Sequence, residues 1–131
     1  MATGKQKGVS FKKLIQSFKN AFSGLKVAIA EEQTFKIQIG IGVLAVGLGF
    51  YLKLPFEAMA ILVLTVMVVL SLELLNSQIE RILDFLKEDF DPKIKRIKDL
   101  CASAVLLVCL GSLAIGFFNF SSLFVKITFH S

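Results

Sequence analysis

An all-α membrane protein is the fold class that the sequence predicts: an N-terminal interfacial amphipathic helix followed by three transmembrane helices. Apolar residues make up 55% of the 131 residues, and the mean hydropathy is +0.74, more than a water-soluble globule of this size carries. Three windows, about Lys36 to Leu54, about Phe56 to Leu75 and about Leu100 to Phe118, approach the ~20 mostly apolar residues that a membrane-crossing helix needs. Ahead of them apolar residues recur at helical spacing among lysines.

In chain order, residues 1–30 form an arm and the interfacial helix. Phe11, Leu14, Ile15, Phe18, Phe22 and Leu25 share one stripe, with Lys12, Lys13, Lys19 and Lys26 mostly off it. Such a helix lies in the headgroup plane with its lysines reaching outward. The same pattern also fits a helix that only anchors. The first 25 residues lack the continuous apolar core of a signal peptide, so the N-terminus is expected to stay on the protein. One membrane domain, 1–131, then holds a first span at about 32–54, a second at about 56–86 with an extension beyond the bilayer, and a third at about 94–118, with 119–131 as a tail.

Short loops rich in Lys and Arg stay cytoplasmic. Lys5, Lys7, Lys12, Lys13, Lys19 and Lys26 precede the first span, and Lys87, Lys93, Lys95, Arg96 and Lys98 follow the second. The Leu54-Pro55 turn has only Lys53 and Glu57 beside it, and the tail only Lys126 and His130. This predicts a multi-pass protein of the cell membrane with its N-terminus cytoplasmic and its C-terminus outside. The net charge of +5 is thus mostly a topology signal. No basic stripe is interleaved with aromatics, which argues against nucleic acid as a partner.

Several features are structural. "GIGVLAVGLG", Gly40 to Gly49, lies inside a span with no preceding strand and no Lys-Ser/Thr, so its glycines serve close helix packing rather than phosphate binding. Cys101 and Cys109 stand eight apart without a nearby His and are packing thiols. His130 belongs to the solvated tail, and Phe117, Phe118 and Phe120 suit the outer interface.

The chemistry is concentrated in "ELLNSQIERILD", Glu73 to Asp84, which ends an apolar run from Ala58 to Leu72 free of ionisable side chains. At 100° per residue Glu73, Glu80 and Asp84 fall within about 40° of one another, flanked by Asn76 and Ser77. Carboxylates at membrane depth cost at least ~2.5 kcal/mol each and mark functional sites. Glu80 and Asp84 could instead belong to a solvated helix end with Arg81 and Lys87 as partners. Glu31, Glu32 and Asp99 arrive at the same level. Two carboxylates plus an Asn suit Mg²⁺, which carries nucleotide phosphates with it, and Lys13 and Lys98 would balance them. Phosphoryl transfer to a membrane-embedded hydroxyl, with one carboxylate taking the proton, fits these residues.

The sequence resembles the prokaryotic integral-membrane diacylglycerol kinase and undecaprenol kinase family from roughly Phe11 to Phe118. Its signature reads here as Glu73, Leu74, Asn76, Ser77, Ile79, Glu80 and Asp84, followed by Lys98-Asp99 and by Ala102 to Leu106. Upstream, Gly24, Leu25, Ala28, Glu32, Phe35 and Lys36 match a second segment. The resemblance implies a homotrimer whose active sites are shared between subunits and hold ATP with Mg²⁺. It implies Glu73 as catalytic base and Glu32 and Glu80 as metal ligands. Lys13, Asn20, Glu32, Asn76, Glu80, Asp84, Asp89, Asp91, Lys98 and Asp99 are implied as nucleotide-site residues, and Lys13, Glu73 and Ala102 as contacts of the lipid substrate. The chain departs from the pattern in three places. Gln38 replaces a frequent acid, Asn20 a frequent Tyr, and Asp91-Pro92 occupies the region of a His.

Two functions stay open at this level. One is an ATP-dependent lipid kinase acting on diacylglycerol or undecaprenol; the other is a non-catalytic membrane protein that kept the fold. The residues do not decide between the two lipids, because both offer a primary hydroxyl at the same depth.

Overall fold

A computed structural model describes residues 10–86 and 89–129; Lys5, Lys7, Lys87 and His130, invoked above for topology or pairing, lie outside them. The described residues form four helices, α1 (Phe11–Glu31), α2 (Gln33–Tyr51), α3 (Phe56–Leu86) and α4 (Pro92–Phe129). The chain divides into two compact units, one ending at Gln33 and one beginning at Thr34.

In the first unit α1 starts after Ser10, whose extended backbone accepts at its carbonyl the Leu14 N–H at 3.1 Å. The apolar stripe read from the sequence lies along this helix, and Phe11, Phe18 and Phe22 remain exposed. The helix stops at Glu32, which turns extended (φ −95°, ψ 104°) while its N–H still donates to the Ala28 carbonyl at 2.9 Å.

In the second unit α2, α3 and α4 are each long and apolar enough to cross a membrane. The turn from α2 to α3 is a Schellman motif. Leu54 N–H donates to the Gly49 carbonyl at 3.0 Å and Lys53 N–H to the Phe50 carbonyl at 3.1 Å. Lys53 takes the left-handed conformation (φ 55°) that this motif requires at its penultimate position. The motif folds Leu54 back over Gly49, seeding a cluster of Leu54, Met59 and Leu62 that Ala45 and Val46 of α2 and Phe120 and Leu123 of α4 cover.

α2 runs antiparallel to α3 at close range, made possible by two of its glycines. A methyl at Gly49 would lie 2.6 Å from Met59 Sδ, and one at Gly42 would lie 2.6 Å from Val66 Cγ1. Gly40 and Gly47 face open space. The packing role expected for the whole glycine-rich segment is therefore carried by one face of it, where small residues let backbones approach.

α4 begins at Pro92, whose fixed φ suits a first helical position, and Asp91 caps it: Lys93 N–H donates to Asp91 Oδ1 at 2.8 Å. It continues to Phe129, past the Phe118 boundary expected from hydropathy. No Pro follows Pro92 to break it, and Phe120 and Leu123 find apolar partners at the α2–α3 turn. Residues 119–129 thus continue α4 rather than forming a separate tail.

Charge placement sets the membrane level. Lys36 on α2 and Lys53 in the turn just past its end are roughly 26 Å apart at the helical rise, and Glu57 and Glu73 on α3 about 24 Å, both near the ~30 Å hydrocarbon thickness. Glu73 therefore marks one boundary, with Glu80 and Asp84 about two and three turns beyond it. Lys53, Glu57 and Lys126 mark the other.

A non-glycine residue pays about 1 kcal/mol for the left-handed region. Lys53→Gly should accordingly stabilise the second unit by roughly 0.5–1 kcal/mol, measurable as a higher unfolding midpoint in detergent. Lys53→Val should lower it.

Candidate active site

The acidic stripe forms because α3 continues as one helix for about four turns past Leu72, where its run free of ionisable side chains ends. Glu73 is buried, with 7% of its surface exposed, and is the one buried charged side chain among the described residues. Ser77 Oγ donates to the Glu73 backbone carbonyl at 3.0 Å, which satisfies the hydroxyl within the helix. One turn on, Asn76 Nδ2 reaches Glu80 Oε1 at 3.5 Å, the outer limit of a hydrogen bond. Its Oδ1 is buried with no donor. Glu80 is half-buried and Asp84 exposed, as a helix emerging from the hydrocarbon dictates.

α4 closes this end through an ion pair between Asp84 Oδ1 and Lys98 Nζ, fourteen residues apart in sequence. The solvated-end reading paired Asp84 with Arg81 and Lys87; the cross-helix partner is Lys98. Lys98 is thereby engaged by protein, and Asp99 beside it pairs with Lys95 at 2.7 Å within the helix. Asp91 serves as the α4 N-cap, Asp89 and Ala102 are exposed, and Asp89 sits in the α3–α4 connection. In the first unit Lys13 and Asn20 are exposed on α1, Asn20 accepting from Gln16 Nε2 at 3.0 Å, and Glu32 is half-buried at the end of the helix. The second unit alone thus gathers Glu73, Asn76, Glu80, Asp84 and Lys98; Lys13, Asn20 and Glu32 belong to the first.

Gln38 is more than a departure from a pattern. It lies one turn before Gly42, and its buried Oε1 has no donor. Because Gly42 stands level with Val66, the antiparallel register puts Phe35, seven residues earlier, level with Glu73, seven residues later. Gln38 lies between these levels. The signal in the sequence was an amide within an otherwise apolar helical turn. A buried oxygen without a donor calls for one, from water or from a bound hydroxyl.

The orphaned Asn76 Oδ1 and the weakly held Glu80 carboxylate are hard oxygen donors on neighbouring turns, the ligand type Mg²⁺ takes. Among the described residues no three His, Cys, Asp or Glu side chains converge on a point. Mg²⁺ typically uses one or two carboxylates and completes its shell with phosphates and water, so the donor set fits that ion when a nucleotide accompanies it.

A family model described as "Prokaryotic diacylglycerol kinase" matches residues 19–120. The chain belongs to the prokaryotic diacylglycerol kinase family. It is similar to the diacylglycerol kinase of Helicobacter pylori strain J99, 34% identical over 101 residues that cover 77% of this chain and 79% of the relative. It is likewise similar to that of Escherichia coli K12, 32% identical over 98 residues covering 74% and 80%. The diacylglycerol kinase of Synechocystis is 34% identical over 104 residues, 79% of this chain but 59% of that longer relative. Membership places the protein among multi-pass membrane lipid kinases, and Glu73, Asn76, Glu80, Asp84, Lys98 and Asp99 all fall within the matched region.

The Asp84–Lys98 pair is half-exposed and should contribute modestly to stability. Each single neutralisation, Asp84→Asn or Lys98→Met, should cost roughly 0.2–1 kcal/mol. A double-mutant cycle should return a coupling of similar size, read from unfolding in detergent. Additive effects of the two changes would mean that the pair does not join the helices.

Proposed function

We propose that the protein transfers the γ-phosphoryl group of ATP to the hydroxyl of a membrane lipid alcohol, with diacylglycerol as the acceptor suggested by its relatives. The observation that supports this reading best is the burial of Glu73 at the edge of the hydrocarbon. Its carboxylate stands where the hydroxyl of a lipid with two acyl chains in the bilayer would lie. As the lipid oxygen attacks phosphorus, the bond from phosphorus to the β–γ bridging oxygen breaks. Glu73 takes the hydroxyl proton, and ADP leaves with the electron pair. Burial keeps water, a competing acceptor, from that carboxylate. Positioning and charge stabilisation supply most of the remaining barrier reduction.

Glu80 with Asn76 would hold Mg²⁺, which neutralises charge on the phosphates when bound, and the family resemblance implies Glu32 as a further metal ligand. Lys98, already fixed by Asp84, would present its ammonium to phosphate oxygens from a set position; Lys13 would add a second cation. Asn20, Asp89, Asp91 and Asp99 would surround the nucleotide. Ala102, exposed and without polar atoms on its side chain, would touch the lipid. This end faces the cytoplasm, where ATP is found, in accord with the lysine-rich segments beside it. The family resemblance supports a homotrimer in which a neighbouring subunit contributes to each site, and α1 would lie in the headgroup plane of the membrane.

Glu73→Gln fills the same space but accepts no proton. It should reduce turnover by about 10²–10⁴-fold, the range for loss of a general base, without altering the fold. Radiolabelled ATP with diacylglycerol in mixed micelles measures this, with undecaprenol as a parallel acceptor. More than a tenth of the native rate remaining would remove Glu73 from the role of base.

Glu80→Ala deletes one of few metal-binding oxygens. The Mg²⁺ concentration for half-maximal rate should rise about tenfold or more, on the order expected for loss of one ligand contact. Unchanged saturation would remove Glu80 from the metal site.

A further inference from the structure

At the end of the bundle opposite the acids, the second unit has a cleft of about 70 Å³. The Leu54-Pro55 turn and Ala58 form one wall, and Asn119, Ser122 and Lys126 of α4 form the other. The polar residues stand at i, i+3 and i+7, so they share one face of the helix. Asn119 Nδ2 is fully buried and has no acceptor. Among the described residues Lys126 has no carboxylate partner. Amide, hydroxyl and ammonium donors thus gather at one point. A buried amide donor left unpaired is costly, so the chemistry asks for an occupant rich in acceptor oxygens, and the ammonium favours a negatively charged one.

Depth specifies the source of that anion. The Asp84–Lys98 pair sets the register of α3 against α4, so Phe56, 28 positions before Asp84, stands level with Lys126, 28 positions after Lys98. Lys126 therefore lies at the level of the α2–α3 turn, among Lys53 and Glu57, which is the headgroup zone of the far leaflet. Leu54, Pro55, Ala58 and Leu123 supply the apolar part of the lining, and Ile127 and Phe129, which flank the polar face of α4, are exposed, a surface suited to acyl chains rather than to a soluble ion. We propose that this cleft binds the phosphate of a phospholipid headgroup in the leaflet opposite the kinase site, with Lys126, Asn119 and Ser122 as its donors. The site is separate from the acceptor-lipid site: its ligand is a phosphodiester, not a lipid alcohol, and it lies about a bilayer thickness from Glu73.

The test uses the full chain purified in a non-ionic detergent and stripped of phospholipid. Phosphatidylglycerol is titrated back while bound lipid is counted by native mass spectrometry and the unfolding midpoint is followed. The native chain should retain one tightly held phosphatidylglycerol per subunit and gain stability as it saturates. Lys126→Gln should raise the half-saturating lipid fraction at least tenfold, and Asn119→Ala should raise it in the same direction. Lys126→Arg should keep it. Lys53→Gln, which removes a charge at the same depth outside the cleft, should also keep it. Kinase turnover of Lys126→Gln should stay at the native level, which also reports that the variant folds. Equal binding by the native chain and Lys126→Gln would overturn the proposal and leave the cleft to water. So would an equal, Lys126-dependent stabilisation by inorganic phosphate alone, which would make the site one for free anions.

Discussion

A charged side chain at the centre of a bilayer costs about 2.5–3.5 kcal/mol even on the gentler insertion scales. In the second unit no charged residue lies between Lys36 and Lys53, between Glu57 and Glu73, or between Asp99 and Lys126. These gaps align when the three helices pack, so one slab of hydrocarbon accommodates all of them. The alignment leaves the acids together on one side of the slab. It also leaves α3 and α4 protruding together beyond the level where α2 begins, and the protrusion carries Glu80 and Asp84, with Glu73 at its base.

Two contacts at opposite ends hold that alignment. Near the α2–α3 turn, the left-handed Lys53 folds Leu54 onto Gly49, and α4 adds Phe120 and Leu123 to the resulting cluster. Far from it, Asp84 and Lys98 join α3 to α4. A helix pair fixed at both ends resists sliding, and a register shift of one residue would turn the whole stripe of Glu73, Glu80 and Asp84 by about 100° relative to α4. The ion pair contributes little to stability at its exposure. Its value lies in register and in holding the Lys98 ammonium in place.

The polar atoms left without partners fall at the two ends of the bundle: Gln38 Oε1 and Asn76 Oδ1 at the acidic end, Asn119 Nδ2 at the other. The acidic end lacks donors, as suits a lipid hydroxyl or a cation. The far end lacks an acceptor, as suits a phosphate. Each deficit is the complement of the ligand proposed for that end.

The sequence by itself determined the number of spans, the amphipathic first helix and the acid stripe, since these depend on the cost of charge in hydrocarbon and on a period of 3.6 residues, both local properties of the chain. It also revealed the family, because Glu73 to Asp84 and Lys98-Asp99 lie in fixed linear spacing. Which glycines pack could not be read locally, as Gly40, Gly42, Gly47 and Gly49 differ only in the face they present. The partner of Asp84 was equally hidden, because Arg81 is near in sequence while Lys98 is near only in space. The extension of α4 to Phe129 depended on Phe120 and Leu123 meeting a cluster built by another turn. The tertiary structure alone decided these, for a physical reason common to all three: each is settled by what stands opposite a side chain across a helix interface, and a linear chain carries no record of which residues will face one another until the helices have packed.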